Sequence, residues 1–218
     1  MKATTYLAIE HENIRVMLGI FGKMLGRLKK EDTSVFDHLD SVFNFFKLYA
    51  DNIHHGKEEK ILFDKVITRL PYTGGALCSY YKTLQLVRPE ISSTVLGLYK
   101  SMGKNPPPDL FSSLKGVGSN VNPLLEEHIL GRTFITTMEH AKNTNNPALL
   151  YSIGQNYRDL LGEHIEKENK CLFALLDESL SVAEQGALLK AFEAFDATHQ
   201  DLINSNLKKL KDLENIYL

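Results

Sequence analysis

Apolar residues recur at alternating steps of three and four along most of the chain, which is the period of an amphipathic helix that faces a core. Short alternating runs of β-branched residues, which would predict strands, are scarce. Segments rich in Gly, Pro, Asn and Ser divide the pattern into roughly four long helices, a shorter helical excursion and a final helix. The pattern therefore predicts an all-α fold.

The chain of 218 residues is long enough for one large domain or two small ones, and we predict a single domain over 1–218. The helical excursion is an insertion from about 75 to 120, and the C-terminal helix runs from about 181 to 214. No internal repeat of fixed period is evident. We expect the insertion either to cap the core or to form the face of a homodimer.

Histidine and glutamate interrupt the apolar stripes of the first two long helices. The first stripe consists of Leu7, His11, Ile14, Leu18, Phe21, Leu25 and Leu28. The second stripe consists of Phe45, Leu48, Asn52, His55, Glu59, Leu62 and Val66. The spacing predicts that His55 and Glu59 point inward. It places the neighbouring His54 and Glu58 about 100° round the helix, where they would flank a site rather than face its centre.

The other two long helices repeat this arrangement. One carries His128 on a stripe with Leu124, Gly131, Ile135 and Met138. The other has the stripe Leu150, Ile153, Tyr157, Leu160, His164, Glu168, Cys171 and Leu175. A histidine and a glutamate four residues apart thus lie on an apolar face for the second time.

A lone histidine on a core stripe is usually a hydrogen-bonded structural residue, and a single His–Glu pair in a misjudged register would be a surface interaction. A buried glutamate, however, is costly unless it is paired or bound to metal. Arg132 could reach one of the two carboxylates, but no stripe residue serves both. Metal coordination accounts for six residues together: His11, His55, Glu59, His128, His164 and Glu168.

The types of ligand narrow the choice of metal. Imidazole and carboxylate without thiolate suit iron, manganese or zinc, and six ligands exceed the needs of one tetrahedral zinc ion. Glutamates on facing helices can bridge two ions, with histidines in the outer positions. We therefore predict two iron ions, with zinc or manganese as alternatives.

Composition excludes several other classes of protein. The 25 Lys and Arg residues are scattered among 27 acidic ones, so no basic patch for nucleic acid stands out. Glu10 and Glu12 lie where a signal peptide needs an apolar run, and no segment reaches membrane-spanning length. We expect a cytoplasmic protein without a membrane partner. Cys78 and Cys171 form no CxxC pair and predict neither a disulfide framework nor a thiolate metal site.

The segments EHENI, HHGKEEKILF, LLEEHILGR and HIEKENKCLF occur in this order and resemble the motifs of the hemerythrin-like, HHE cation-binding family. The resemblance covers most of residues 1–200. It implies an up-and-down four-helix bundle with a non-haem di-iron centre and the same six metal ligands. It also implies roles in oxygen binding, iron or oxygen sensing, handling of nitric oxide or peroxide, and cluster repair.

Two departures from the family pattern limit this transfer. Oxygen-carrying hemerythrins have two histidines four residues apart on the third helix, whereas Leu124 and Arg132 lie on either side of His128 here. Asn169 stands where those proteins have a bridging aspartate, which favours Glu168 as the second bridge, as in the sensing and repair branches. A further ligand is left open, with three candidates: His54, Glu58 and Glu127.

The leading hypothesis is a non-haem di-iron protein that binds or reacts with a small diatomic or peroxide ligand, as a sensor, a carrier or a detoxifier. Tyr157 is either a hydrogen-bond donor to that ligand or a packed core residue. An iron storage or delivery protein is the alternative, and so is a structural metal-binding module whose insertion binds a partner.

Overall fold

A computed structural model describes residues 1–67, 89–115, 119 and 121–218. All regular structure in these residues is helical and none of it is strand, which confirms the prediction of an all-α fold. Within the same residues, no helix combines the length and the apolar character needed to cross a membrane.

Seven helices, numbered here in chain order, occupy the described residues: α1 Ala3–Leu28, α2 over 36–66, α3 Pro89–Ser101, α4 Asn122–Asn143, α5 over 147–179, α6 Val182–Ala197 and α7 Gln200–Tyr217. Helix α2 is continuous through Phe36–Asn44, Phe45–His55, Glu58–Leu62 and Phe63–Val66. Helix α5 is continuous through Pro147–Lys167, Glu168–Leu172 and Phe173–Ser179.

Three stretches of α2 and α5 are π-helical rather than α-helical: Phe45–His55, Glu58–Leu62 and Glu168–Leu172. A π-turn closes its hydrogen bond from residue i to i+5, so it takes more residues than an α-turn. Side chains therefore point in directions that a 3.6-residue period does not predict.

At two of the predicted breaks, a polar side chain caps the start of the next helical segment. Before α2, the Asp32 side chain accepts a hydrogen bond from the backbone N–H of Ser34. Before α5, the Asn146 side chain accepts one from the N–H of Leu149, and Pro147 occupies the first turn. Such side-chain caps and an early proline are the usual signals of a helix start.

Helix α1 packs against α2 and α5, and α4 packs against the same two helices. On each of these four helices, polar residues interrupt the buried apolar surface, and a separate apolar cluster lies on either side of the interruption. On α1, for example, Leu7 belongs to one cluster, Ile14 to the other, and His11 lies between them. These polar residues are therefore enclosed between two apolar layers.

The prediction of one C-terminal helix is wrong, because the segment forms two helices, α6 and α7. The break falls at Thr198 and His199, where the Thr198 hydroxyl donates to the carbonyl oxygen of Phe195 at 2.7 Å. Helix α6 contacts the Glu58–Leu62 part of α2, and α7 contacts the Phe45–His55 part. Both C-terminal helices also contact α1, so they cover α1 as well as α2.

Only part of the predicted insertion lies within the described residues, where α3 packs against α4. The sequence suggests no disulfide framework, but Cys171 is disulfide-bonded. Cys78 lies outside the described residues. The single domain and the capping or dimer role of the insertion stay predictions.

Candidate metal centre

Buried histidine and glutamate side chains form two groups, and within each group the ligand atoms lie within 4.8 Å of one another. The three-histidine cluster consists of His55, Glu58, His128 and His164. The two-histidine cluster consists of His11, His54, Glu58 and Glu168. Glu58 belongs to both, and either group could hold a metal ion.

Both glutamates direct one oxygen toward each cluster. Glu168 Oε2 lies 3.1 Å from His11 Nε2, and its Oε1 lies 3.3 Å from His164 Nε2. Glu58 Oε1 lies 3.5 Å from His54 Nε2, and its Oε2 lies 3.7 Å from His128 Nε2. Carboxylates placed in this way can each bridge a pair of ions.

Each of the five histidines has a side-chain oxygen at its Nδ1. The five pairs are His11 with Asn169 at 2.9 Å, His54 with Glu10 at 2.9 Å, His55 with Asp51 at 3.3 Å, His128 with Glu59 at 2.7 Å and His164 with Glu127 at 2.9 Å. A neutral imidazole that donates from Nδ1 presents the lone pair of Nε2 on its other side. Outer partners of this kind orient histidines that bind metal.

Three cations hold the outer carboxylates in turn. Lys57 donates to Glu10 and Lys167 donates to Glu127, and both lysines are buried. The guanidinium of Arg132 reaches two carboxylates: its Nε donates to Asp51 at 2.9 Å and its Nη2 to Glu59 at 2.6 Å. These two carboxylates are the Nδ1 partners of His55 and His128. Each of these rings is therefore held by its carboxylate, which is held in turn by Arg132.

The inward-facing atoms have no such partners. Seven of them are buried without a hydrogen bond in the described part of the chain: Nε2 of His11, His54 and His55, and both carboxylate oxygens of Glu58 and of Glu168. The Nε2 atoms of His128 and His164 lie only 3.1 Å apart. Buried polar atoms are normally paired, and a cation in each cluster would give all of these atoms a partner. The donor set of imidazole and carboxylate fits iron, manganese or zinc.

The electrostatics of the metal-free cluster also favour added positive charge. Burial, together with the negative charge of Glu168, raises the pKa of the Glu58 carboxyl well above its usual range. Burial disfavours the charged form of Glu168 too, but His164 and His11 outweigh it and hold the pKa of Glu168 well below its usual range. Burial lowers the pKa of His164, yet Glu168 and Glu127 raise it to about 9. Protons on Glu58 and His164 therefore supply positive charge that a metal ion would replace.

The structure brings together five of the six predicted ligands: His11, His55, His128, His164 and Glu168. The sixth, Glu59, belongs to neither cluster, because its carboxylate accepts from His128 Nδ1 and from Arg132. The expectation that His54 and Glu58 flank the site is wrong, since they are 1% and 0% exposed and both are cluster members. The third open candidate, Glu127, lies outside the clusters as the partner of His164.

The π-helical geometry of α2 explains the error in register. Buried neighbours recur there about every four residues, at Phe45 and Phe46, Tyr49 and Ala50, Ile53 and His54, and Lys57 and Glu58. A walk with a period of 3.6 drifts away from this pattern and reaches Asn52, which is exposed. In addition, the Asp196 carboxylate of α6 accepts from Lys57 at 2.7 Å, which encloses the side of α2 that carries Lys57.

A second sequence feature would have identified Glu58. The segments HHGKEEKILF and HIEKENKCLF share the pattern HxxKExKxLF, which aligns Lys57 with Lys167 and Glu58 with Glu168. On α1 and α4, an adjacent Glu–His pair occurs at Glu10 and again at Glu127. The two helix pairs therefore carry matching motifs, although the motifs do not recur at one fixed period.

The contacts of the two halves also repeat. Lys57 and His54 share Glu10 in the first half, as Lys167 and His164 share Glu127 in the second. The ring of His11 stacks on Phe173 at 5.4 Å between centroids, and the ring of His128 stacks on Phe63 at 6.2 Å. The π-helical turns Glu58–Leu62 and Glu168–Leu172 begin at the equivalent glutamates. The site is thus built from two similar helix pairs, and in each pair a histidine stacks on a phenylalanine of the other pair.

No protein-family model, no curated protein and no solved structure matches the chain. The resemblance to hemerythrin-like proteins therefore rests on the motifs and their order.

Proposed function

We propose that the chain is a hemerythrin-like protein in which α1, α2, α4 and α5 form a four-helix bundle around two metal ions, with iron as the preferred metal. The observation that carries this proposal is the arrangement of Glu58 and Glu168, whose four unpaired oxygens face five histidines in two clusters. A buried set of this kind is hard to reconcile with a purely structural role, because its inward atoms satisfy one another poorly.

The ligand assignment follows from the clusters and revises the expectation from the sequence. His55, His128 and His164 would hold one ion, and His11 and His54 would hold the other, with Glu58 and Glu168 bridging both. Glu59 would not bind metal itself but would orient the ring of His128 through its contact with Nδ1. Iron commonly takes six ligands, so this set leaves open positions, more of them on the side of the two-histidine cluster.

An iron pair bound in this way supplies exchangeable electrons and a place for oxygen, nitric oxide or peroxide to bind. The chain contributes ligand orientation through the Nδ1 contacts and exclusion of water through the apolar layers on either side. The function that these features support is the binding or redox handling of a small ligand, as a sensor, a carrier or a detoxifier.

Metal analysis of the purified protein and of three variants tests this assignment. Wild type should contain about two iron ions per chain, and Glu58→Ala and Glu168→Ala should each lose metal because each removes a bridge. Glu59→Ala is the matched control, since it changes the adjacent glutamate outside the clusters and should retain most of the metal. Full metal content in both bridge variants would exclude the assignment.

Absorption spectroscopy then separates the roles. The anaerobically reduced protein is mixed with oxygen, nitric oxide or peroxide, and the iron absorption bands are followed over seconds. A long-lived oxygen adduct would indicate a carrier, whereas irreversible oxidation would indicate a sensor or a detoxifier. Readily exchanged metal without a response to any of the three ligands would favour iron storage or delivery instead.

A further inference from the structure

Helix α6 supplies no residue of either cluster, but one of its side chains joins the polar contacts behind the two-histidine cluster. Leu188, Phe192 and Asp196 follow one another at steps of four and therefore lie on one face of α6. Leu188 and Phe192 are buried in an apolar cluster, which fixes α6 against the other helices. Asp196 thus reaches the site from a helix whose position is set by apolar packing.

The contacts run from Asp196 to a ligand candidate in three steps. Lys57 donates to Asp196 Oδ1 at 2.7 Å and also to Glu10 Oε1. The other oxygen of Glu10 lies 2.9 Å from Nδ1 of His54. The Lys57 ammonium is fully buried, and a buried cation needs partners for its N–H groups. Asp196 therefore holds Lys57, which in turn holds Glu10 against the ring of His54.

The Tyr6 side chain completes the surroundings of Lys57. Its hydroxyl donates to Asp196 Oδ2 at 2.5 Å, and its ring centroid lies 5.1 Å from Lys57 Nζ. Burial and the hydrogen bond to Asp196 raise the pKa of the Tyr6 hydroxyl, so the hydroxyl stays protonated and keeps donating. Both oxygens of the Asp196 carboxylate are consequently held, one by α1 and the other by α2.

The second half of the repeat lacks this addition. Lys167 pairs with Glu127 there and has no second carboxylate partner in the described part of the chain. The alignment of the two Glu–His pairs places Pro123, which has no hydroxyl, at the position of Tyr6. The buried lysine of the first half thus has two carboxylate partners, and the buried lysine of the second half has one.

We propose that Asp196 is a positioning residue of the two-histidine cluster, which acts through Lys57 and Glu10 on the orientation and donor strength of His54. This inference rests on the proposed function, and the ion concerned is the one with more open positions. The extra carboxylate draws part of the hydrogen bonding of Lys57 away from Glu10, so Glu10 accepts more strongly from Nδ1 of His54. A stronger acceptor at Nδ1 makes Nε2 a better metal ligand.

The first measurement needs no metal. The Nδ1–H protons of the cluster histidines are observed by NMR in protein with isotope-labelled histidine, because a hydrogen bond to a carboxylate moves them downfield. Asp196→Asn should fold, since Asn has the shape of Asp and keeps an oxygen that accepts from Lys57. It should shift the His54 resonance upfield and leave that of His164 unchanged. An unchanged His54 resonance would overturn the inference.

Asp177→Asn is the matched control. The Asp177 carboxylate also joins α5 to α1 and α6, because it accepts from Thr4 at 2.5 Å, from Lys2 at 2.9 Å and from Gln185 at 3.3 Å. None of these three contacts involves a cluster residue or the outer partner of one. The two variants therefore both remove a charge that holds helices together, and only one of them removes the charge beside Lys57.

The second measurement is metal titration of the apoprotein. Asp196→Asn should weaken one of the two binding steps by about three- to tenfold, less than the loss of a direct outer partner, and Asp177→Asn should weaken neither. If the wild type takes up no metal, the proposed function fails. If the wild type binds two ions and Asp196→Asn binds both as tightly, or if Asp177→Asn weakens binding equally, only the assignment of Asp196 fails.

A double-mutant cycle tests whether Asp196 acts through Lys57. Lys57→Met replaces the buried ammonium group by an apolar side chain of similar length and should lower the affinity for the same ion. In that background, Asp196→Asn should cause no further loss, because the link to Glu10 is already broken. An equal effect of Asp196→Asn with and without the lysine would exclude this route.

Discussion

The two helix pairs, α1 with α2 and α4 with α5, differ most where their motifs stop matching. Both pairs supply a Glu–His pair and the HxxKE pattern, and these shared residues build the bridges and their outer partners. Only the first pair carries His55 and Asp51, where the second has Ile165 and Leu161. The shared residues thus explain why two clusters exist, and the unshared ones explain why the clusters are unequal.

Removing one histidine from either cluster should have the largest effect on metal affinity and should show whether the two clusters differ. His54→Ala leaves the two-histidine cluster with a single imidazole, so we expect the affinity for one ion to fall by more than about 100-fold, beyond the usual cost of losing an outer partner. His55→Ala leaves two histidines in its cluster and should cost less. Metal titration of the apoprotein measures both, and equal losses would mean that the two clusters are energetically alike.

Changing the outer carboxylates tests whether the shared contacts are equivalent. Glu10→Gln and Glu127→Gln remove the charge that holds the Nδ1 of His54 and of His164. Each should lower metal affinity by about 10- to 100-fold, which is typical for the outer partner of a metal ligand. The same titration checks this, and a large effect in only one half would show that the repeat is not functional.

Protonation should distinguish the halves when metal binds. Burial and the neighbouring His11 lower the pKa of His54 well below its usual value, whereas the carboxylates near His164 overcome burial and raise its pKa to about 9. In the metal-free protein, the proton on His164 stabilises the fold fully below its unfolded pKa of 6.5, and this contribution is lost as the pH rises through about 9.

Because metal must displace that proton, affinity for the ion of the three-histidine cluster should rise by up to about tenfold per pH unit until about pH 9. Calorimetric titration in buffers of different ionisation enthalpy counts the protons released. We expect proton release near pH 7, from His164 and also from Glu58, because burial raises the pKa of that carboxyl. Release of none would show that both groups are already deprotonated in the apoprotein.

Arg15 and Arg132 should give the smallest contrast between the two halves. Each lies four residues after the histidine of a Glu–His pair. Arg132→Met removes a partner of Asp51 and Glu59, which orient two ligands, so metal affinity should fall several-fold. Arg15→Met breaks the pair with Glu166 on the surface and should leave metal affinity unchanged, at a cost in stability of about 1 kcal/mol or less. Metal titration and chemical denaturation compare the two, and equal metal affinities would remove Arg132 from the site.

Period and chemistry were sufficient to predict the regular helices. Every residue of the stripe predicted on α1 is buried, including His11, because that helix is α-helical throughout. His128, His164 and Glu168 are buried for the same reason, since the segments before them have the period of an α-helix. A regular helix therefore allowed the ligand positions to be read from spacing alone.

Period was insufficient in α2, where the inserted π-turns depend on tertiary packing. The choice of Glu59 over Glu58 followed from a period of 3.6 residues that the helix does not have. Likewise, Lys57 is buried because Asp196 and Glu10 receive its ammonium group, and spacing along α2 carries no information on those partners.

The contribution of distant helices to both clusters sets the stage of synthesis at which either proposed metal site can be complete. The three-histidine cluster needs His164 and the two-histidine cluster needs Glu168, while His11 and Glu58 are translated much earlier. A ribosome that has made α1 and α2 therefore holds a chain with three of the four residues of the two-histidine cluster and two of the four residues of the three-histidine cluster. Neither cluster is complete before α5 is synthesised, and the Lys167–Glu127 pair forms at that same stage.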